Sequence, residues 1–382
     1  MWFTIFIIAL CFLSLLYSFF ILLYRYWFLK LQPFVLPVDY KNETRFSIII
    51  PARDEAENIV QCVESVLAQD YPKDLFELIV VDDHSTDETP ALIEALQNKY
   101  NNLKLISLHE ALKGKPLNAY KKKAIEIAIE AAGFEWIVTT DADCMAPQKW
   151  LQYFDAIIQQ EKPVFVAAPV AFIQDGSLLS SFQTIDFMGL QGITAAAVSA
   201  GFHSMCNGAN LTYQKKAFYA VNGFKGIDNI ASGDDMLLMN KLKKQFPHQL
   251  QYLFCKEAIV QTLPMPNWRS FLNQRIRWAS KADKFEDKSM LWVLLIVYFY
   301  NVLLCSLPII AFWQPIAIIW LLLLVLIKTI VELFFGWPIA DFFNFTFKWK
   351  HICLQPLHII YTVTAGWLGK FGAYSWKDRK VK

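Results

Sequence analysis

The sequence is poor in charge, because 36 Lys and Arg and 34 Asp and Glu make up only 18% of its 382 residues. A formal net charge of +2 argues against a nucleic-acid partner that depends on a basic surface. The seven cysteines include no Cys-x-x-Cys pair, which argues against a disulfide framework or a structural zinc site. The absence of repeats and low-complexity tracts excludes solenoid, collagen-like and disordered classes.

Two common nucleotide-binding loops are also absent. Neither Gly-x-Gly-x-x-Gly nor Gly-x-x-x-x-Gly-Lys-Ser/Thr occurs in the chain. The first would indicate a dinucleotide site and the second a P-loop. Any phosphate group must therefore be held by side chains and a metal ion.

Apolar residues, in contrast, make up 55% of the sequence, more than the roughly 45–50% of soluble domains. Residues 1–24 carry no charge and are long enough for one transmembrane helix. We predict an uncleaved N-terminal anchor instead of a signal peptide, because no basic segment precedes the run and Arg25 and Lys30 follow it. These two basic residues place the following domain in the cytoplasm.

A second apolar region predicts a transmembrane hairpin at 291–335, with a turn near Trp313 and Pro315. Lys328 and Glu332 stand four residues apart and are expected to form an ion pair on one helix face. A third stretch, 352–371, could cross the membrane, re-enter it or lie on its surface. Basic residues at 348–351 and in the tail 376–382 both indicate the cytoplasm and favour an even number of crossings between them.

The segment 40–263 has ordinary polarity and alternates between two periodicities. Short apolar runs at 46–50, 78–81, 103–106 and 136–138 predict buried strands. Apolar residues at helical spacing lie between them. This succession predicts an α/β domain with a doubly wound, mostly parallel sheet.

Acidic residues follow three of these predicted strands. Glu55 follows the first, Asp82 and Asp83 the second, and Asp141-Ala142-Asp143 the fourth. Ligands of open α/β sheets bind beyond the carboxyl ends of the strands. The carboxylates of Asp141 and Asp143 suit Mg²⁺ or Mn²⁺ bridging a diphosphate. A turn formed by two aspartates explains their position equally well.

Two further motifs carry candidate chemistry. Asp234 and Asp235 precede a predicted helix, where they serve either as acids favoured by the helix dipole or as a general base. Residues 264–286 predict an amphipathic helix at the membrane interface. On this helix Gln274, Arg277 and Trp278 share one face, because they stand at i, i+3 and i+4.

Together these motifs resemble a membrane-bound family 2 glycosyltransferase of the inverting type. The resemblance covers residues 46–281 and includes the segments 49–55 and 80–87, the Asp-x-Asp at 141–143 and the acidic pair at 234–235. The fifth matching element is the Gln-x-x-Arg-Trp (QxxRW) motif at 274–278. This family implies a Rossmann-like GT-A fold for nucleotide-diphospho-sugar transferases, here flanked by transmembrane helices.

The resemblance also implies roles for individual residues. Asp143 with Asp141 would bind the divalent cation, Mn²⁺ or Mg²⁺. Asp235 would act as the catalytic base, with Asp234 as the alternative from the same pair. The residues implied to bind the donor are Pro51, Glu55, Asp82, Asp83, Lys115 and Asp141, with Lys121, Lys122 and Lys123 as the alternative to Lys115. Gln274, Arg277 and Trp278 would contact the diphosphate and the acceptor.

The expected reaction is transfer of a hexosyl or N-acetylhexosaminyl group from a nucleotide-sugar, expected to be UDP-linked. The expected acceptor is a lipid or lipid-linked glycan at the cytoplasmic face of a bacterial inner membrane. A processive polysaccharide synthase is the alternative enzyme, because QxxRW also occurs there. A noncatalytic membrane scaffold that retains a sugar-binding fold is the alternative outside enzymes.

Overall fold

The computed structural model describes residues 1–113, 117–284, 287–347, 352–372, 374–376 and 379–381. Lys115 and the basic segment 348–351 lie outside these residues. So do three residues of the predicted tail, at 377, 378 and 382.

Residues 46–279 form strands that alternate with helices. The strands are β1 (Phe46–Ala52), β2 (Phe76–Asp82), β3 (Leu103–Ser107), β4 (Trp136–Thr139), β5 (Cys144–Met145), β6 (Phe165–Ala167), β7 (Val170–Phe172), β8 (Leu211–Gln214), β9 (Leu250–Tyr252) and β10 (Val260–Thr262). The helices between and after them are α2 (Ile59–Leu67), α3 (Thr89–Gln97), α4 (Leu108–Leu112), α5 (Tyr120–Ala131), α6 (Trp150–Glu161), α7 (Leu178–Ser199), α8 (Lys215–Ala220), α9 (Met236–Gln245) and α10 (Trp268–Ala279).

The main sheet has the strand order β3-β2-β1-β4-β8-β6-β9 within the described residues. β1 is parallel to both β2 and β4, and β2 is parallel to β3. Only β8 runs the other way among these seven strands, because it pairs antiparallel with β4 and β6. The predicted α/β class with a mostly parallel sheet is confirmed, and the carboxyl ends of β1, β2 and β4 meet at one edge.

The two faces of the sheet are covered by different helices. Along β1, Ile48 and Ile50 pack in one cluster with Val63 of α2, whereas Ile49 packs in the other with Ile125 of α5. This alternation follows from the two-residue period of a strand. Because both faces are covered, the strand sequence is continuously apolar, and the polar loops at its end are left for a site.

A smaller sheet joins two parts of the chain that matter below. β10 pairs antiparallel with β5 and parallel with β7. β5 directly follows the Asp-x-Asp loop, and β10 directly precedes α10. The small sheet therefore holds the 141–143 loop beside the start of the helix that carries Gln274, Arg277 and Trp278.

Three helices are long and apolar enough to cross a membrane, judged on the described residues. They are α1 (Trp2–Leu29), α11 (Lys288–Ile310) and α12 (Ala317–Phe342). Pro308 lies inside α11, and the turn falls at residues 311–316. The third predicted stretch forms α13 (Gln355–Phe371), a 17-residue helix. A short hairpin follows, formed by β11 (Tyr374–Trp376) and β12 (Arg379–Val381).

A polar cluster ties the apolar helices to one another. Lys328 and Glu332 of α12 form the predicted ion pair, with the Lys328 side chain fully buried. Tyr17 of α1 donates a hydrogen bond to the same carboxylate. The Gln355 amide of α13 donates to it at 2.7 Å. A charge inside an apolar bundle requires such partners, because an unpaired one is costly there.

One contact between the α/β domain and α1 makes the stability of the protein depend on pH. The ring of His203 is buried, with its Nε2 2.8 Å from the Tyr24 hydroxyl. Burial lowers the pKa of His203 to about 4. The charge of Asp287 acts to raise this pKa, and the charge of Lys243 lowers it by a smaller amount. Between this pKa and that of an unfolded histidine, the unfolded state binds more protons, so stability falls as pH falls. We expect a loss of about 2 kcal/mol from this residue between pH 7 and pH 5.

Thermal melting of the detergent-solubilised protein at the two pH values measures this loss. Other groups titrate in the same range, so His203→Gln is the control, because its amide replaces the ring without titrating. The variant should lose less stability than the native chain on acidification. Equal losses in both proteins would contradict the assignment to His203.

Candidate active site

A cleft of about 250 Å³ opens at the carboxyl edge of the main sheet. Its walls come from the loops after β1, β2 and β4, from the loop before α9 and from α10. It brings together ten of the predicted site residues, which are Pro51, Glu55, Asp83, Asp141, Asp143, Asp234, Asp235, Gln274, Arg277 and Trp278.

Two predicted donor-binding residues are not among those that line it. Asp82 is the last residue of β2, is only 7% exposed, and accepts a hydrogen bond from the backbone N–H of Ser85 at 3.3 Å. Its carboxylate therefore shapes the turn after the strand, whereas the neighbouring Asp83 lines the cleft. Lys115 lies outside the described residues.

The first two strand-end loops are fastened together by Arg53. The backbone N–H of Asp83 donates to the carbonyl of Ala52 at 2.7 Å, which extends the pairing of β1 and β2 by one residue. Arg53 Nη1 then donates to the carbonyls of Asp83 at 2.9 Å and of His84 at 3.1 Å. These bonds fix the backbone from which Asp83 and Glu55 project into the cleft.

The Asp-x-Asp loop carries closely spaced negative charge. Burial, together with the nearby carboxylates of Asp141 and Glu55, raises the pKa of Asp143 to about 6. No group of three His, Cys, Asp or Glu side chains is arranged to hold a metal alone in the part of the chain described. The loop thus offers one or two hard oxygen ligands, and Mg²⁺-type ions are commonly held by that number together with substrate phosphates.

Lys121, at the start of α5, connects the two acidic motifs. Its Nζ lies 2.7 Å from Asp141 Oδ1 and 3.3 Å from Asp234 Oδ2. Burial alone would lower the pKa of this lysine, but the two carboxylates raise it well above its usual value. A permanent positive charge therefore stands between the Asp-x-Asp loop and the acidic pair.

The two members of the acidic pair have different surroundings. Asp234 is 9% exposed. Burial alone would raise its pKa, but Lys121, Lys122 and Lys281 hold the pKa of Asp234 below its ordinary value. Asp235 is more accessible, and its carboxylate accepts the N–H groups of Met236 at 2.7 Å and Gly208 at 3.0 Å.

Two glycines and a buried lysine shape the loops around this pair. Gly233 has φ +81°, a conformation that favours glycine, and a Cβ on Gly208 would lie 3.3 Å from Asp234 Oδ2. Lys122 Nζ donates to the carbonyls of Ile227, Ile230 and Ser232 at 2.5–2.9 Å. The loop that delivers Asp234 and Asp235 is therefore held from the side of α5.

The opposite wall is formed by α10 and by aromatic rings. Trp278 lies 6.0 Å from Phe187 between ring centroids, and Phe187 lies 4.5 Å from Phe172. Gln274 and Arg277 line the cleft on the same helix face as Trp278. One side of the cleft is thus acidic and polar, and the other is aromatic.

The lining also contains groups that sequence reasoning did not assign to the site. Arg53, Lys281, Phe172 and Phe187 were not predicted, and Lys121 was named only as an alternative to Lys115. Lys281 had a detectable signal, because on the predicted helix 264–286 it stands four residues after Arg277 and therefore on the same face. The phenylalanines had none, because an aromatic residue in a strand or helix is most often part of the core.

In total, six acidic and four basic side chains line the cleft. The acids are Glu55, Asp83, Asp141, Asp143, Asp234 and Asp235, and the bases are Arg53, Lys121, Arg277 and Lys281. An anionic ligand would therefore enter a cleft whose own charge is negative. A bound divalent cation would remove this repulsion.

Known proteins with related sequences match parts of this chain. It is 32% identical over 106 residues to glycosyltransferase AglE of Haloferax volcanii, a match that covers 28% of this chain and 33% of that protein. It is 26% identical over 134 residues to beta-monoglucosyldiacylglycerol synthase of a Nostoc species, covering 34% and 28% of the two chains. The matches thus span about a third of these relatives' length.

A solved structure with a similar fold covers nearly the whole chain. The mannosyltransferase PcManGT of Pyrobaculum calidifontis, in complex with GDP-Man and Mn²⁺, superimposes with a TM-score of 0.66. The alignment covers 95% of this chain and 97% of that one, at 18% identity. At this identity the likeness concerns the fold, and it confirms the predicted GT-A architecture.

Two family descriptions match overlapping parts of the sequence. Residues 47–220 match glycosyl transferase family 2, and residues 136–340 match glycosyl transferase family group 2. The second match alone covers more than half of the 382 residues and extends from β4 through α11 into α12. The chain therefore belongs to glycosyl transferase family group 2.

Proposed function

We propose that this protein transfers a sugar, with inversion, from a nucleotide-sugar to a membrane lipid or lipid-linked glycan at the cytoplasmic face. The main support for this proposal is that Asp83, Asp143 and Asp235 line one cleft, next to helix α10. These acids come from three loops that are far apart in sequence. Helix capping or turn formation at each position would not require them to converge.

The donor is proposed to lie across the carboxyl ends of β1, β2 and β4. Pro51, Glu55 and Asp83 would contact the nucleoside of a UDP-linked sugar, and the Arg277 guanidinium would contact the diphosphate, whose oxygens match its donors. The donor set around Asp143 and Asp141 fits a divalent cation, Mn²⁺ or Mg²⁺. When bound, this ion would neutralise charge on the leaving diphosphate.

Asp235 is proposed as the catalytic base. Its carboxylate is held by two backbone N–H groups and remains accessible from the cleft, whereas Asp234 is buried against Lys121. Asp235 would accept the proton of the acceptor hydroxyl while that oxygen attacks the anomeric carbon. The bond to the diphosphate oxygen breaks on the opposite face, so the configuration inverts.

The acceptor side and the surroundings of the cleft support a membrane substrate. The aromatic wall of Phe172, Phe187 and Trp278 suits an acceptor with apolar or sugar-ring surface. Lys256 of the domain donates to the carbonyl of Asp341 at the end of α12, and Arg25 of α1 donates to a carbonyl of the same helix. The domain thus lies against the membrane helices, at the end of α1 where Arg25 and Lys30 indicate the cytoplasm.

The test uses the full chain in lipid nanodiscs, a panel of UDP- and GDP-sugars, lipid acceptors, and either Mn²⁺ or EDTA. We expect metal-dependent transfer of one sugar from one of these donors, with NMR showing the inverted anomeric configuration. A product with retained configuration would contradict the mechanism. A ladder of long glycans would favour a processive synthase instead, and a chain that neither binds nor turns over any donor would favour a scaffold.

A further inference from the structure

Arg275 lies in the middle of α10, but it is not among the residues that line the cleft. Its side chain is only 4% exposed and is held by Asp186 of α7. Arg275 Nε donates to Asp186 Oδ2 at 2.8 Å, and Arg275 Nη2 lies 2.7 Å from the same oxygen. The buried guanidinium is thus fixed from behind by a carboxylate on another helix.

The same guanidinium contacts two residues that do line the cleft. Arg275 Nη1 donates to Gln274 Oε1 at 2.5 Å. The Arg275 guanidinium carbon also lies 4.2 Å from the centroid of the Trp278 ring. A planar guanidinium can donate from its edge and stack with its face at the same time, which a lysine cannot do. Arg275 therefore fixes both the amide of Gln274 and the indole of Trp278.

Asp186 is itself anchored by the C-terminal helix α13. The Tyr361 hydroxyl donates to Asp186, and His358 Nε2 lies 3.7 Å from Asp186 Oδ1. Helix α13 also approaches α10 closely, because a Cβ on Gly369 would lie 2.8 Å from the Cβ of Ala279. The position of α13 is thus linked through Asp186 to the two cleft residues.

We infer that Arg275 and Asp186 are positioning residues that orient Gln274 and Trp278 toward the acceptor. Helix α13 contributes by holding Asp186 in place. The inference rests on the proposed function. A buried ion pair is weak support for stability, because an apolar pair of similar volume often stabilises a fold as well or better. The contacts to Gln274 and Trp278 are what an apolar pair cannot reproduce.

This difference gives a test that separates positioning from folding. The double variant Asp186→Leu with Arg275→Met replaces the ion pair by an apolar pair and leaves no buried charge unpaired. We expect it to melt near the native temperature and to bind UDP with Mn²⁺ as the native chain does. Its acceptor-dependent kcat should nevertheless fall about 100-fold, the size of effect that a small misplacement of a positioned group produces.

Two single variants complete the experiment. Arg275→Lys keeps a positive charge beside Asp186 but loses the bond to Gln274 and the stacking on Trp278, so it should also lose acceptor turnover. Asp155→Asn is the matched control, because Asp155 is another buried aspartate that accepts hydrogen bonds from tyrosine hydroxyls, those of Tyr40 and Tyr71. It is not among the cleft residues, so Asp155→Asn should lower the melting temperature without changing kcat.

The possible results are distinguishable. Native acceptor kcat and KM in the double variant would overturn the positioning role, while the proposed function would stand. If the double variant does not fold, Arg275→Lys decides, and native kinetics in that variant would overturn the role. A native chain without any sugar transfer would overturn the proposed function itself, and the inference with it.

Discussion

Replacing Asp235 by asparagine is expected to slow sugar transfer about 100- to 10,000-fold, the range associated with loss of a general base. The amide oxygen of the new side chain can still accept one of the N–H groups of Gly208 and Met236, so the loop and the start of α9 should keep their geometry. The variant keeps one of these two hydrogen bonds and loses the negative charge that accepts the proton. Its affinity for UDP with Mn²⁺ should therefore stay near that of the native chain.

Initial transfer rates and calorimetric titration with UDP and Mn²⁺ measure the two quantities separately. Asp228→Asn, in the loop before the acidic pair, is the control, because Asp228 accepts only the local N–H of Gly226 among the bonds described for it. It should leave the rate unchanged. A larger loss of rate in Asp234→Asn, with normal transfer by Asp235→Asn, would assign the base to Asp234 instead.

The parts of the fold that could be predicted from the sequence are those determined by residues close to one another along the chain. The run at Phe46–Ala52 is continuously apolar because both faces of this strand are covered in the fold. The neighbouring loops lack such a run, so the pattern predicts a buried strand. The rule that ligands bind beyond parallel strands predicted Asp83 and Asp143 at one edge of the sheet, and both residues line the cleft there. Local pattern and one topological rule were sufficient for these residues.

The residues that sequence reasoning missed depend on contacts between distant segments. Lys121 stands in a run of three lysines, and nothing local shows which of them reaches Asp141 and Asp234. Phe187 lies in the middle of the 22-residue helix α7, where its ring could equally belong to the core. The bond from Arg275 to Asp186 joins residues 89 positions apart in sequence. Only the packed structure identifies such partners.

Asp82 and Asp83 are adjacent predicted residues that the structure places in different surroundings. Consecutive residues of an extended strand point to opposite faces, so Asp82 and Asp83 are not expected to project into the same cleft. In the structure the Asp82 carboxylate accepts the N–H of Ser85, which stabilises the turn at the end of β2. The acid that closes the turn and the acid that lines the cleft are therefore different residues.

Replacing Asp143 by asparagine is expected to remove the metal dependence of transfer. Loss of a ligand that holds the charge-neutralising ion should cost several kcal/mol of transition-state stabilisation, so the rate with Mn²⁺ should fall at least about 100-fold. The residual rate should be the same with Mn²⁺ as with EDTA. The melting temperature of the metal-free protein should not fall, because the variant removes a carboxylate that lies near Asp141 and Glu55.

Asp87→Asn is the matched control for this variant. Asp87 lies in the loop after β2, at the same edge of the sheet, and accepts the N–H groups of Ala56 and Thr89 at 3.0 Å. Its replacement should lower stability slightly and leave the response to Mn²⁺ unchanged. Because the cleft carries more acidic than basic side chains, an anionic donor should bind poorly to any variant that has lost the metal ion. Strong metal-stimulated transfer by Asp143→Asn would therefore show that the ion is held elsewhere.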